Sequence, residues 1–397
     1  MTKVIPKNTR LYFVDAIRAW AILMMLQGHF IDGLLDNAFR DDSNILFTIW
    51  KYFRGITAPV FFTVSGFIFT YLLIKAPEKG WDNPRVKKGI RRGFELLIIG
   101  YLLRLNLFGL FKAEVYDSFY LVDVLHCIGL SILGIIGIYI LSGNLKKWLL
   151  PALLVGTTIA LFAFEPWYKS ANFYLLPQWI ANYFTKANGS VFTILPWFGY
   201  ATFGSFAAVL FHRYRKSSYL YPVAIGICVS IGLLLIFYSS DAFLALAHYA
   251  DIKLFEAIFL NNYLFIRLGD VLLVFALFML VRKFLTNKTV LRLGQSTLSI
   301  YVIHFVILYG SFTGLGLYGF FHHSVSPIIL VPSAILFIVA CSYLALRYED
   351  NKADIKLSIN SYFNMVRKRI EYALLYGFSI LRNFSIKLAK LFGLIKN

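Results

Sequence analysis

"FVDAIRAWAILMMLQGHF", residues 13–30, is mostly apolar and long enough to cross a bilayer, yet it carries Asp15 and Arg18 near one end and His29 near the other. An ionisable side chain in hydrocarbon costs several kcal/mol unless it is paired or hydrated. The segment is therefore read as a span whose polar residues face protein or water. How the rest of the chain supports such a span decides the fold.

Of the 397 residues, 59% are hydrophobic, 18% aromatic and only 15% charged. A soluble domain is usually about 45–50% apolar and about 25% charged. Apolar runs of about 20 residues recur along the chain, each long enough for a transmembrane helix. Ten spans are expected near 11–31, 56–75, 92–111, 120–141, 148–164, 191–211, 220–238, 264–281, 297–316 and 327–346. The fold class is all-α, a polytopic helical membrane protein, with residues 1–350 as the transmembrane domain.

The basic residues orient it. On one side of the expected spans lie Lys3, Lys7 and Arg10, then Lys75, Lys79, Arg85, Lys87, Lys88, Arg91 and Arg92. Lys146, Lys147, Arg213, Arg215, Lys216, Arg282, Lys283, Lys288 and Arg292 fall on the same side. The opposite loops hold Asp32, Asp36, Asp41, Asp42, Glu114, Asp117, Glu165, Asp241, Asp251 and Glu256. Cytoplasmic loops carry the excess of Lys and Arg, so both termini are expected inside, in a cytoplasmic (inner) membrane. The net charge of +19 is explained by this orientation and by contact with anionic membrane lipids, and needs no nucleic acid. Span 1 is not read as a cleaved signal, because it holds Asp15 and Arg18 and no small-residue cleavage site follows it.

No soluble domain, internal repeat or low-complexity linker is evident. Cys127, Cys228 and Cys341 fall in apolar segments and form neither metal spacing nor a disulfide framework. The longest outer loops, 32–55, 165–190 and 239–263, are rich in aromatics, with Trp50, Trp167 and Trp179 in the first two, as in interfacial belts. Residues 351–397 differ. Phe363, Val366, Ile370, Leu374, Gly377, Leu381, Phe384, Leu388, Leu391 and Ile395 form an apolar stripe, with Arg367, Lys368, Arg369, Arg382, Lys387 and Lys390 largely off it. This predicts a basic amphipathic helix on the inner membrane surface. Packing against a second copy, as a homodimer, is the other reading.

In span 1, the eleven steps from Arg18 to His29 turn about 1100°, so the two side chains share a face roughly 16 Å apart along the axis. Asp15 lies three residues before Arg18, within reach of an ion pair. Two readings follow: a structural pair with a hydrogen-bonded histidine, or one wall of a tunnel carrying a cation and a titratable base.

"LYFVDAIRAWAILMMLQGHF" (11–30) resembles the opening of the membrane-bound acyltransferase-3 family, marked by Arg, ten residues, then His. It is also similar to the heparan-α-glucosaminide N-acetyltransferase branch. "APVFFTVSGFIFTYLL" (58–73), "KKGIRRGFELLIIGYLLRL" (87–105) and "VLRLGQSTLSIYVIHFVIL" (290–308) continue the resemblance in order. Ala19 stands where that family often has Gly, and the third stretch lacks an Arg-x-x-Arg followed by proline. These departures leave the acceptor open. The resemblance implies transfer of an acyl group, usually acetyl from cytoplasmic acetyl-CoA, to an extracytoplasmic sugar hydroxyl or amine, with no metal. His29 is then the general base, a role suited to a group titrating near neutral pH. Asp15 holds Arg18, and Arg18, Arg91 and Arg92 meet the anionic donor. Arg91 and Arg92 are equally read as positive-inside anchors.

Ser65 is placed with the donor or in helix packing beside Gly66. Tyr301 and His304 are placed with the donor, His304 being read as a contact to its pantetheine or to the acceptor, or as a buried hydrogen-bonded residue. The acceptor side is assigned Gln295, Arg104, Asp123 and His126, with Arg104 pairing Asp123 or Glu114 and His126 supporting His29 or packing structurally. A carbohydrate or glycolipid is the expected acceptor. An exporter of polar metabolites is the rival reading, since buried Asp, Arg and His also mark translocation paths, though no inverted pair of broken spans is seen. A polysaccharide polymerase would bring a larger charged outer loop.

Overall fold

The computed structural model describes residues 11–114, 116–143, 147–171 and 173–391. Lys3, Lys7, Arg10, Lys146 and Ile395, used above for orientation and for the tail stripe, lie outside the described residues. The chain divides into two compact units, Met1–Tyr343 and Leu344–Asn397.

The first unit is helical. Its principal helices are α1 (Tyr12–Leu34), α2 (Ile45–Lys75), α3 (Pro84–Arg104), α4 (Val124–Ser142) and α5 (Leu149–Ala163). They continue as α6 (Ile194–Arg213), α7 (Leu220–Ala250), α8 (Tyr263–Leu280), α9 (Lys288–Gln295) and α10 (Thr297–Tyr309), and α11 (Pro327–Leu391) opens in this unit. Among the described residues the only β-pairing is an isolated parallel bridge, Leu35 to Val325.

Each of the ten expected segments falls on one of these helices. Six segments are long and apolar enough to cross a membrane: α2, Asp117–Ser142, α6, α7, α8 and Pro327–Tyr372; α9 with α10, bent by 72°, makes a seventh. Helix α5 is apolar but short, while α1 and α3 carry several charges. The chain is thus a multi-pass membrane protein.

Several boundaries differ from the sequence expectation, because caps end helices where apolar windows cannot see them. Helix α2 begins at Ile45 instead of 56, where the Asn44 side chain accepts from the Leu46 and Phe47 amides. Helix α3 begins at Pro84, capped by Asn83, and stops at Arg104 instead of 111. Helix α7 runs to Ala250 instead of 238, and α10 stops at Tyr309, where Gly310 turns left-handed with φ 78°. Much of the expected outer loops 32–55 and 239–263 is therefore helical.

Helix α1 is largely enclosed: Phe13, Val14, Asp15, Ile17, Ile22, Leu26 and Phe30 are all buried, against α2, α8, α9 and α10. This answers how it tolerates charge. Its neighbours are protein, and α7 shows the opposite pattern, exposing Val223, Ile227, Leu234 and Phe237. Several helix contacts admit only glycine, two of them beside residues singled out above. A Cβ on Gly294 of α9 would lie 1.9 Å from the Asp15 carbonyl oxygen, and one on Gly66 of α2 would lie 1.9 Å from that of Ala201 in α6.

The second unit is helical through residue 391. Leu357, Tyr362, Phe363 and Ile370 are exposed there beside Arg367, Lys368 and Arg369. Side chains of the remaining stripe, Leu374, Gly377, Leu381, Phe384, Leu388 and Leu391, lie outside the described residues, as do Arg382, Lys387 and Lys390.

Candidate functional site

Helix α1 presents its polar residues to α9 and α10 at two levels. At one level, Arg18 lies 3.8 Å from the buried Asp15 carboxylate and donates to Thr297 Oγ1 at 3.1 Å. Thr297 opens α10 immediately after the break from α9. The pair therefore ties α1 to the bend.

At the second level, His29 Nδ1 is hydrogen-bonded to His304 Nε2 at 3.2 Å. His304 is fully buried in α10, with the Tyr301 ring 4.8 Å away and the Tyr309 ring 6.4 Å away. His29 is half-buried and lines a cavity of about 420 Å³. Gly28, Arg54, Lys51, Lys186, Phe61, Phe192, Trp197 and Tyr301 share the lining, and no acidic side chain is among the lining residues. His304 engages the Nδ1 nitrogen of the His29 ring. Gly28 keeps that wall open, since a Cβ there would meet only the Arg54 side chain, at 3.5 Å and beyond.

Asp123 lies behind this level. It pairs with Arg104 at 2.9 Å, being one of the two partners expected for that arginine, and faces Tyr301. His126 forms a capping box with Asp123, its Nδ1 accepting from the Asp123 amide at 3.1 Å. It is fully buried against Tyr101 and Gly100 and is not among the cavity residues. Gln295 donates back to the Leu291 carbonyl at the end of α9. Ser65 is half-buried in α2 beside the Gly66 contact with α6.

Arg91 and Arg92 stand apart from both levels. They share Glu95 at 2.9 and 3.5 Å and border a basic groove of about 630 Å³ with Arg85, Lys87, Lys88, Phe69 and Leu72. The structure thus joins His29, Tyr301 and His304, joins Asp15 with Arg18, and joins Arg104, Asp123 and His126.

Sequence reasoning missed two groups. One comprises the cavity's Lys51 and Arg54, three residues apart near the start of α2 in a stretch expected to be an outer loop, together with Lys186 of the loop before α6 and Trp197 of α6, which only the fold brings to the same cavity. The other is the buried Asp270 in α8, accepting from Arg267 at 2.9 Å and from the Tyr52 hydroxyl of α2 at 2.6 Å. Its signal was available, because an i,i+3 Arg–Asp pair inside an apolar span is the feature that singled out Asp15 and Arg18.

A helical membrane protein with a histidine hydrogen-bonded at the base of an aromatic and cationic cavity is suited to proton transfer at a bound substrate. The family model described as the acyltransferase domain, acyltransferase-3, matches residues 11–347, and the chain belongs to that family. It is, in that sense, a membrane acyltransferase. No sequence among curated proteins matches it.

Proposed function

We propose that the chain moves an acyl group, in the first instance acetyl, from acyl-CoA on the cytoplasmic side to a hydroxyl or amine of a carbohydrate or glycolipid on the other side. The observation that carries this reading is His29, held by His304 and lining a cavity within the matched acyltransferase domain.

In the tautomer where His29 donates Nδ1–H to His304, its Nε2 lone pair is available as a base. Nε2 takes the acceptor proton as the acceptor oxygen or nitrogen attacks the thioester carbonyl carbon. The carbon–sulfur bond breaks, and the departing thiolate recovers the proton from the imidazolium. His304, buried and hydrogen-bonded, fixes the ring through this cycle. Arg18, held by Asp15 and Thr297, serves the donor's path, and Tyr301 borders the reacting region. Arg91 and Arg92 offer the donor's phosphates a basic groove outside.

The accompanying topology is ten crossings with both termini inside a cytoplasmic membrane, α5 and the bent α9–α10 pair included. The basic tail is a surface helix, with pairing of two copies as its alternative use. The excess of Lys and Arg in the loops of one side supports this orientation.

Purified protein with labelled acetyl-CoA tests the chemistry. General-base catalysis is typically worth about 10²–10⁴ in rate. His29→Ala and His29→Gln are each expected to lose that much kcat while retaining coenzyme A binding. Near wild-type turnover in His29→Gln refutes the mechanism, because glutamine keeps the hydrogen bond but cannot take the proton.

A further inference from the structure

The His29 cavity carries charge that general-base chemistry does not need. Lys51 is matched by Asp42 at 2.8 Å. Arg54 shares Asp32 with Arg40, at 2.6 and 3.3 Å, so that two guanidinium groups answer to one carboxylate. Lys169 takes Glu165 at 3.4 Å. Lys186, on the loop before α6, has no ion pair among the described residues, and its ammonium lies 5.9 Å from the Trp197 ring centroid. Burial, followed by the nearby Lys169, pushes the Lys186 ammonium below its ordinary range against the pull of Glu165. Two positive charges are thus unmatched at the cavity, one from the Arg40–Arg54 pair and one from Lys186. Trp197, itself a lining residue, also keeps its indole N–H buried with no hydrogen-bond acceptor among the described residues.

These groups converge on an anion. We infer that the acceptor is an acidic carbohydrate whose phosphate or carboxylate is held by Lys186 and Arg54, its ring lying against Trp197 and Phe192 while a hydroxyl meets His29. This deepens the transfer reading and rests on it. A phosphate monoester brings about −1.5 to −2 charge at neutral pH, matching the local excess. Guanidinium supplies a planar fork for its oxygens, and the aromatic walls cover the apolar face of a sugar.

The test uses the full chain in phosphatidylcholine nanodiscs and calorimetric binding of two probes with the same free hydroxyls, α-D-glucose 1-phosphate and methyl α-D-glucopyranoside. The phosphate is expected to bind at least about tenfold tighter, as charge-assisted contacts outweigh neutral ones. Lys186→Gln is expected to remove most of that advantage, Lys186→Arg to keep it, and saturating coenzyme A to leave it intact. Equal affinities, no binding of the phosphate, an advantage that survives Lys186→Gln, or displacement by coenzyme A overturns the inference. Displacement in particular assigns these cations to the donor's phosphates. No turnover is needed, so failure here is distinct from failure of acetyl transfer in the His29 variants.

Discussion

His29 Nδ1 and His304 Nε2 lie 3.2 Å apart although the residues are 275 positions apart in the chain. A contact between two imidazoles commits one nitrogen of each and leaves His29 Nε2 as its only other ring nitrogen. His304 is thus a positioning residue, acting through the tautomer and orientation of its partner. His304→Ala is expected to lower kcat by about 10–100-fold, the range typical for loss of an orienting partner, with KM for acetyl-CoA little changed. His304→Gln, whose amide oxygen can accept from His29 Nδ1–H, is expected to recover a substantial part. Steady-state kinetics on the two variants checks this. Equal losses in both, or a loss confined to KM, contradict the positioning role.

Arg91 and Arg92 separate donor binding from stability. Their side chains are 79% and 43% exposed and share one carboxylate, Glu95, within α3. Exposed pairs contribute little to stability. The double variant Arg91→Ala/Arg92→Ala is therefore expected to unfold at the wild-type temperature while its KM for acetyl-CoA rises several-fold. Thermal unfolding in detergent and donor titration check the two halves. An unchanged KM leaves these arginines as membrane anchors alone.

Much of the helical architecture was legible because apolar runs are local signals, while the caps at Asn44 and Asn83 that set two of the boundaries lie outside those runs. The Asp15–Arg18 pair was legible for the same reason, since an i,i+3 spacing places two side chains on one helical face. The contacts that make the site were not. Arg18 reaches Thr297 and His29 reaches His304 across the whole fold, and helical spacing says nothing about which face meets which neighbour. Lys186 is the extreme case. It sits in a loop with no periodicity, and only the folded chain brings it to the cavity of His29. His126 shows the converse: its spacing from Asp123 is a capping box, a local role that sequence spacing can also produce without any catalytic one.

The Arg267–Asp270–Tyr52 cluster ties α8 to α2. Asp270 is 4% exposed, accepts from both partners, and the Arg267 guanidinium lies 4.5 Å from the Tyr52 ring centroid. Removing one member of a buried ion pair strands the other, at a cost of about 3–5 kcal/mol. Arg267→Ala is expected to lower thermal stability more than Tyr52→Phe, which deletes one hydrogen bond worth about 1 kcal/mol. Adding Asp270→Asn to Arg267→Ala is expected to restore part of the loss. A double variant less stable than Arg267→Ala alone rules out the stranded carboxylate as the cause.

Gly294 offers the sharpest structural test, because the atoms that a side chain would meet cannot swing aside. A Cβ there lies 1.9 Å from the Asp15 carbonyl oxygen and 2.8 Å from its carbonyl carbon. Overpacking that must be relieved by backbone movement costs about 1–3 kcal/mol or more. Gly137 of α4 is the control, since its Cβ would meet nothing within 4 Å. Gly137→Ala is expected to be neutral or to stabilise by up to about 1 kcal/mol through helix propensity. Gly294→Ala is expected to destabilise and to push α9 from α1. That movement would lengthen the 3.1 Å bond between Arg18 and Thr297 at the adjoining bend. Thermal unfolding of both variants, with acetyl-CoA KM measured on whatever fraction stays folded, checks the chain of effects. If Gly294→Ala melts with Gly137→Ala, α9 does not press on the backbone of Asp15, and the anchoring of Arg18 has another origin.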